Sequence, residues 1–370
     1  MASIESYETA TGKKYRVRYR TPDHRQTDKR GFRTKKEAEL FLASTEISKH
    51  KGEWVDPSKG KLEFGPWAET WFSSLVDIKP TTLAGYRQNL NKHVLPKWQS
   101  RQMGSIGHGE IQAWVAELTK TLSASTTTQV FLNLRSVLDF AIEDGILSKN
   151  PCNKIRLPRI TKTKKPYLSN EQVLELAAKC EGHSDIILTL AYTGMRWGEL
   201  AALKVGAVDF DKHRIFVTES ISEVSGRLIP GTPKSHENRS IPFPEFLVPF
   251  LQNRITGKSV NDHVFTTSKG EVLRNGNFRR DCFNKAVNEL RLVDQDFPKV
   301  TPHNLRDTAA SLSVSAGANV KSVQRMLGHA RASMTLDTYA ELFEEDLDSV
   351  SVALNTIAGP AIVGKMWAIA

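Results

Sequence analysis

Cysteine is scarce in this sequence, which contains three among its 370 residues: Cys152, Cys180 and Cys282. The three lie far apart and lack the spacing of metal ligands, so we expect neither a disulfide scaffold nor a cysteine zinc site. Apolar runs of about 18 residues, the length that spans a membrane, are also missing. The first residues lack the apolar stretch of a secretory signal. These absences together favour a protein of the reducing cytoplasm.

Acidic residues are under-represented in the first part of the chain. The whole sequence has 51 Lys+Arg against 41 Asp+Glu and a net charge of +10. Residues 1–165 have a net charge of +12, and residues 166–370 have a net charge of −2. This asymmetry favours a polyanion, such as nucleic acid, bound by the first half and a different task for the second. The length suits two or three domains.

The segment Lys14–Arg20 alternates strictly between cationic and apolar side chains. A period of two predicts a β-strand with one face toward a core and the other toward solvent. Thr34 and Glu37 then form a capping box, which predicts a helix to about His50. We interpret residues 1–60 as a small sheet-plus-helix module. The cations expected to face DNA from its strand are Lys14, Arg16, Arg18 and Arg20.

An ordinary solvated strand face is the alternative interpretation of this charge run. Residues 13–36, however, contain eleven cations and only two acids, Asp23 and Asp28. Sheets of two or three strands fit the major groove of DNA. The composition therefore favours nucleic-acid binding.

Residues 61–153 show the apolar period of helices rather than strands. Three of the predicted helices are the segments Thr81–Val94, Glu110–Leu118 and Ser125–Asp144. Gly145 follows the last of them, at the position where helices commonly end. No chemical motif occurs here, so we expect an all-α binding or packing domain.

Residues 154–167 contain two prolines and no acidic residue. This composition predicts an extended basic linker that can follow a phosphate backbone between two domains. The cations expected to contact DNA from the linker are Arg156, Arg159, Lys162 and Lys164.

The second half of the chain has a mixed pattern. A capping box at Ser169–Gln172 predicts a helix. Strands are predicted at Arg214–Thr218 and Ser240–Phe243, on either side of a polar hairpin. Thr301 and Pro302 predict the start of another helix. We therefore expect a mixed, mainly α domain with a small β-hairpin sheet, and a multidomain α+β protein as a whole.

The pattern His-x-x-Arg occurs twice, as His236 with Arg239 and as His303 with Arg306. The spacing i, i+3 places two side chains on one face of a helix. Only the second pair follows a predicted helix start, whereas the first lies in the predicted hairpin. Context therefore favours His303 and Arg306, although the match is weak by itself because composition alone generates such pairs.

Four strings carry a more specific signal: TGMRWGEL, TPKSHENRSIPF, HNLRDTAASL and MLGHARASMTLDTYAEL. In this order they resemble the catalytic series of the tyrosine recombinases, the phage integrase family. The resemblance is close over residues 168–345 and implies a catalytic domain there. It also implies a core-site DNA-binding domain in residues 61–153 and an arm-type DNA-binding domain in residues 1–60. The catalytic series consists of Arg196, Lys234, His303, Arg306, His329 and Tyr339.

The resemblance assigns the cations of this series to a DNA phosphate. Guanidinium forks bind non-bridging oxygens in a fixed geometry, which is the role implied for Arg196 and Arg306. His303 and His329 would add hydrogen bonds and share the handling of protons. Glu199 matches a supporting acidic position that braces the site.

Tyr339 is the implied nucleophile, and its 3′-phosphotyrosyl bond would conserve the phosphodiester energy without ATP. Lys234 would protonate the departing 5′ oxygen. Cations replace metal ions in this scheme, so we expect no metal and no cofactor.

The partners implied by the resemblance are double-stranded DNA attachment sites of the core and arm types and three further copies of the chain, as a homotetramer. A host DNA-bending protein and an excisionase are the expected accessory factors. We expect a location in the cytoplasm of a bacterial host, at the nucleoid and away from membranes. The tail, residues 346–370, has an apolar stripe that suits packing on its own chain or docking on a neighbouring protomer.

Two other functions fit parts of the sequence. A type IB topoisomerase uses related residues to cleave and reseal one strand, but its members generally lack a separate arm-type module. A DNA-binding regulator with an inactive catalytic domain would need no intact series, whereas every expected catalytic position is filled here.

Overall fold

The structure is a computed structural model of the chain. It divides the chain into two compact units, Met1–Lys162 and Thr163–Ala370. No helix among the described residues is long and apolar enough to cross a membrane. The described residues are 2–22, 24–50, 54, 56, 59–161, 165–233, 238–331, 333, 335, 336, 352 and 354–356.

The first unit begins with an antiparallel sheet in which β1 (Ser3–Thr9), β2 (Gly12–Arg20) and β3 (Gln26–Phe32) lie in that order. Val17 and Tyr19 are buried and pack on the helix that follows. The cationic side chains of Arg16, Arg18 and Arg20 lie on the other face of the sheet, since successive residues of a strand alternate. The predicted sheet-plus-helix module is confirmed.

The helix of this module, α1, runs from Lys35 to His50. The Thr34 hydroxyl accepts a hydrogen bond from the Glu37 backbone N–H at 3.2 Å, and the Glu37 carboxylate accepts one from the Arg33 N–H at 2.9 Å. The first bond satisfies an N–H group that a helix start leaves unpaired, and the second ties Glu37 to the residue before Thr34. The predicted helix start is therefore confirmed.

The described residues from Phe64 to Glu143 are mainly helical, and Leu90–Val94 forms a π-helical turn between two of these helices. Ser123 caps the longest helix by accepting a hydrogen bond from the Thr126 N–H, and Gly145 ends it with a φ of +66°. Trp98 and Phe131 lie in a continuous core. The helices are α2 (Phe64–Ser73), α3 (Pro80–Asn89), α4 (Leu95–Trp98), α5 (His108–Leu118) and α6 (Ala124–Glu143).

The second unit is mainly helical around two small antiparallel sheets, ordered β4-β5-β8 and β6-β7. One hydrophobic core joins its helices to the three-stranded sheet. Its elements are α7 (Asn170–Lys179), α8 (Ser184–Thr193), α9 (Trp197–Ala202), β4 (Val208–Asp209), β5 (Arg214–Val217), β6 (Ser220–Val224), β7 (Arg227–Gly231), β8 (Arg239–Pro242), α10 (Val248–Ile255), α11 (Asn275–Phe278), α12 (Asn284–Val293), α13 (Asn304–Ser315) and α14 (Val320–Leu327).

The two strands predicted in this half are confirmed as β5 and β8, but the segment between them contains a further hairpin, β6–β7. This hairpin packs closely on the start of α9. A Cβ atom on Gly198 would lie 2.5 Å from the carbonyl oxygen of Ile221 and 2.7 Å from Ser220 Oγ. Only glycine permits this approach.

Helix α13 begins two residues later than Thr301 and Pro302 predict. The Asn304 side chain accepts hydrogen bonds from the Thr301 N–H at 2.9 Å and from the Thr301 hydroxyl at 2.8 Å. These bonds keep Thr301 and Pro302 in a turn ahead of the helix. His303 is consequently the N-cap residue of α13.

Candidate active site

Arg196 stands at the N-cap of α9, directly after a tight turn that ends α8. Gly194 makes the turn with a φ of +65°, in the left-handed region that favours glycine. A Cβ atom at this position would lie 2.7 Å from Leu327 Cδ2, so the turn also packs tightly on α14. The Arg196 side chain is 22% exposed and therefore accessible to a ligand.

The buried carboxylate of Glu199 accepts hydrogen bonds from two arginines. Arg196 donates its backbone N–H at 2.8 Å and its NH1 at 2.9 Å. Arg239 donates NH1 at 3.0 Å and NH2 at 2.6 Å. Burial raises the pKa of Glu199, but the hydrogen bonds and charge of Arg239, followed by those of Arg196, outweigh it and hold the pKa below its usual value. Glu199 is therefore ionised at neutral pH.

Arg306 is 4% exposed and lies on α13. Its NH1 donates to the carbonyl oxygen of Gly194 at 2.6 Å, and its NH2 donates to the carbonyl oxygen of Leu327. Gly194 lies two residues before Arg196, and Leu327 lies two residues before His329. One guanidinium therefore fixes the backbone turns that present two other residues of the predicted series.

His329 follows the glycine that ends α14. Its Nδ1 lies 2.9 Å from Thr335 Oγ1, and its backbone carbonyl accepts a hydrogen bond from the Gln324 side chain at 2.9 Å. Burial, and then the charges of Arg306 and Arg196, lower the pKa of His329 to about 4. The imidazole is therefore neutral near pH 7.

His303 is exposed overall, yet protein atoms crowd its imidazole ring, and this desolvation lowers the pKa of the imidazole. Asp307 opposes this shift, whereas the charges of Arg306, Lys165 and Arg196 add to it. Both histidines of the series consequently favour the neutral form beside two arginines. A neutral imidazole can donate one hydrogen bond and accept another.

Two residues beside this site, Lys165 and Arg239, are not among those that the sequence assigns to it. Lys165 pairs with Asp307, whose carboxylate is almost fully buried. The sequence signal for Lys165 was its place at the end of the basic run. Arg239 belongs to the His-x-x-Arg match that its sequence context disfavours, yet its side chain is only 8% exposed. Its pairing with Glu199 spans 40 residues and leaves no local pattern.

The structure thus brings together Arg196, Glu199, His303, Arg306 and His329. Of the other predicted site residues, Lys234, Tyr339, Lys162 and Lys164 lie outside the described residues, as does most of the tail.

The predicted DNA contacts of the first unit are mostly accessible. Arg16 and Arg18 both pair with Glu5 on the adjacent strand; Arg16 Nε lies 2.9 Å from the carboxylate and Arg18 NH1 lies 3.3 Å from it. Arg20, Arg156 and Arg159 are exposed, and Lys14 is half-buried.

The arrangement around Arg196 suits a tetrahedral oxyanion. Guanidinium groups bind such anions bidentately, and neutral imidazoles can add hydrogen bonds or exchange protons. The described part of the site therefore has the chemistry for binding a phosphodiester.

Three family models match the chain in succession. Residues 6–49 match the Arm DNA-binding domain. Residues 63–119 match the N-terminal SAM-like domain of phage integrases. Residues 166–346, which contain the candidate active site, match the Phage integrase family. The three matches together cover most of the chain.

Curated relatives have similar lengths. The chain is 26% identical over 361 residues to a XerC-like tyrosine recombinase of Caldanaerobacter subterraneus subsp. tengcongensis, covering 88% of this chain and 90% of the relative. It is 23% identical over 282 residues to the ICEBs1 integrase of Bacillus subtilis, covering 72% of this chain and 76% of the relative.

Two solved structures share the fold. The Tn1549 transposon integrase in complex with a circular intermediate DNA superimposes with a TM-score of 0.66 at 22% identity, over 75% of this chain and 95% of that one. A lambda integrase dimer bound to a core site superimposes with a TM-score of 0.59 at 19% identity, over 90% of this chain and 94% of that one.

Proposed function

Because the chain belongs to the phage integrase family of tyrosine recombinases, in its three-domain form with an arm DNA-binding domain, we propose that it integrates a phage or mobile element into DNA by site-specific recombination. With accessory factors it would also excise the element. The observation that carries this proposal is the cluster of Arg196, Arg306 and two neutral histidines, whose chemistry suits a DNA phosphate.

The scissile phosphate would lie between the guanidinium groups of Arg196 and Arg306. Charge develops on its non-bridging oxygens during phosphoryl transfer, and preorganised cations stabilise that charge. His303 and His329 would donate hydrogen bonds to the same group or accept the proton of the nucleophile. Glu199, held ionised by two arginines, would keep Arg196 oriented.

Tyr339 would act as the nucleophile and Lys234 as the general acid. The phenolic oxygen would bond to phosphorus while the bond from phosphorus to the 5′ oxygen breaks. The phenolic proton would leave to a base of the site, and the 5′ oxygen would take one from Lys234. Attack by the 5′ hydroxyl of a second strand would reverse these steps and join the new partners, with no net hydrolysis and no metal, cofactor or ATP.

The DNA partners would be arm-type sites for the sheet module and core-type sites for the helical domain and catalytic domain. One solved lambda integrase is a tetramer bound to a Holliday junction, with a TM-score of 0.59, 18% identity and coverage of 88% of this chain and 96% of that one. This likeness supports a homotetramer here. A host DNA-bending protein and an excisionase would be the accessory factors, and the tail would pack on its own chain or dock on a neighbouring protomer. The site of action would be the bacterial cytoplasm.

Covalent capture on DNA tests this function directly. The full-length protein is mixed with nicked duplexes of random core sequence. Cleavage releases a short fragment that carries the free 5′ hydroxyl, and the loss of this fragment by diffusion traps the covalent adduct. We expect wild-type protein to label a defined subset of duplexes, with EDTA present. Tyr339→Phe should abolish labelling and keep DNA binding, while the control Tyr167→Phe should label normally. Adducts formed by Tyr339→Phe, or none with wild-type protein, would contradict the proposal.

The two alternative functions give different products. A topoisomerase would relax supercoiled plasmid without exchanging strands between two duplexes. A regulator with an inactive catalytic domain would bind the selected duplexes without covalent labelling. Recombinant joints between two selected duplexes identify the recombinase.

A further inference from the structure

Arg239 lies at the centre of a hydrogen-bond network beside the candidate active site, although it is not a member of the predicted catalytic series. Its NH1 and NH2 pair with the two carboxylate oxygens of Glu199, and its Nε donates to the carbonyl oxygen of Met326 at 3.2 Å. All three guanidinium nitrogens therefore bind protein atoms, and the side chain is 8% exposed. A guanidinium whose three nitrogens are all bonded to protein atoms acts through the residues that it contacts.

The partners of Arg239 lie on the two helices next to the turns that present the candidate catalytic residues: Glu199 on α9 and Met326 on α14. Glu199 binds the side chain and backbone of Arg196. Met326 lies three residues before His329 in the chain, next to the carbonyl group that Arg306 binds. Arg239 itself is the first residue of β8, five residues after Lys234 in the sequence.

The backbone beside Arg239 is fitted to it. Gly328, which ends α14 with a φ of +64°, would place a Cβ atom 2.8 Å from Arg239 Cδ and 2.9 Å from its Nε. Any other residue here would both strain the backbone and displace the arginine.

We propose that Arg239 is a positioning residue that sets the orientation of the Arg196 guanidinium through the carboxylate they share; this inference rests on the proposed function. Oε1 of Glu199 accepts from NH1 of both arginines. Without Arg239, the buried carboxylate has two routes to neutralisation: it draws Arg196 into a full two-pronged pair, or it takes up a proton. Either route turns the guanidinium away from its orientation toward a phosphate.

The test uses the nicked duplex that wild-type full-length protein labels most strongly. Single-turnover cleavage is followed at saturating protein for wild type, Arg239→Gln and the control Arg254→Gln. Arg254 forms a comparable pair with Asp185 and also binds the carbonyl oxygen of Gly182. We expect Arg239→Gln to slow cleavage about 10- to 100-fold with little change in the concentration that half-saturates the DNA. Arg254→Gln should leave the cleavage rate unchanged.

A second substrate distinguishes positioning from general support of the fold. In a methylphosphonate duplex, a methyl group replaces one non-bridging oxygen at the scissile position, so the negative charge that Arg196 would stabilise is removed. We expect the defect of Arg239→Gln to shrink below about threefold on this substrate, because the missing charge makes Arg196 less important. Equal slowing on both substrates would overturn the inference and indicate a structural role.

Arg239→Gln leaves the buried carboxylate of Glu199 without its Arg239 partner, which can unfold the protein. A double-mutant cycle keeps the inference testable in that case. The variants Glu199→Gln and Glu199→Gln/Arg239→Gln remove that charge. If Arg239 acts through Glu199, the second substitution should change the cleavage rate of the first by less than about threefold. A further tenfold loss would overturn the inference. Failure of wild-type protein to label any duplex would instead contradict the proposed function.

Discussion

Lys165 and Asp307 form an ion pair in which only the lysine reaches solvent: Nζ lies 3.0 Å from Oδ1, and the two side chains are 49% and 4% exposed. Asp307 also accepts a hydrogen bond from the Asn304 side chain at 3.3 Å. The pair lies beside His303, where the acid raises the pKa of the imidazole and the lysine lowers it. Lys165 therefore tunes the site as well as bracing it.

Lys165→Gln should raise the pKa values of both His303 and His329, because Lys165 contributes to the lowering of each. The values are measured by NMR titration of the imidazole carbons in the full-length protein. Lys179→Gln is the control, since it breaks a surface pair with Glu289 whose N–O distance is 3.7 Å. Unchanged titration of both histidines in Lys165→Gln would contradict the predicted electrostatic coupling.

His329 should make the protein less stable in mild acid. Its pKa is about 4 in the folded chain, against an ordinary value of 6.5 that holds after unfolding. The unfolded chain therefore binds the proton first, so this contribution to the free energy of unfolding is complete above pH 6.5 and declines toward pH 4. Urea unfolding at pH 7, 6 and 5 should show a shallower decline in His329→Asn than in wild type. Parallel declines would contradict the lowered pKa.

Gly194→Ala should destabilise the second unit more than a substitution at another left-handed glycine. The left-handed backbone alone costs about 1 kcal/mol for alanine. At Gly194 the new Cβ also meets Leu327 Cδ2 at 2.7 Å, so we expect a total loss of about 2–4 kcal/mol. Gly257→Ala is the matched control, because its φ is +76° and no atom lies within 4 Å of the added Cβ. Equal losses in urea unfolding would show that the contact with Leu327 costs nothing.

Glu5→Gln should strengthen non-specific DNA binding by the sheet module. Glu5 neutralises Arg16 and Arg18 on the proposed DNA-binding face, and its removal makes both available to phosphates. Each additional phosphate contact steepens the dependence of log affinity on log salt by about 0.9. Glu46→Gln, which removes the partner of Lys49 on α1, is the control. Fluorescence anisotropy across a salt series measures both slopes, and a slope unchanged in Glu5→Gln would argue against this face.

Local chemistry explains what could be predicted from the sequence. The strand around Val17 followed from alternation within seven residues, and the helix after Thr34 followed from bonds across one turn. Family resemblance added the grouping of Arg196 with Arg306, whose link through Gly194 spans 112 residues.

The roles of Arg239 and Lys165 depend on partners that only folding brings near. Arg239 contacts Glu199 and Met326, which are 40 and 87 residues away, and the pair of Lys165 and Asp307 spans 142 residues. A basic residue that will pair with a distant carboxylate has the same sequence context as one that remains unpaired in solvent.

The carbonyl groups that bind Arg306 belong to the ends of two helices. Gly194 and Leu327 stand at the C-termini of α8 and α14, where each helix dipole concentrates about half a negative charge. These partial charges compensate the buried guanidinium for its lost water. A carboxylate would cancel its formal positive charge, whereas the helix ends do not. The fold thereby removes most of the water around Arg306 and leaves its positive charge in place. An approaching phosphate therefore meets a cation that lost its hydration when the protein folded.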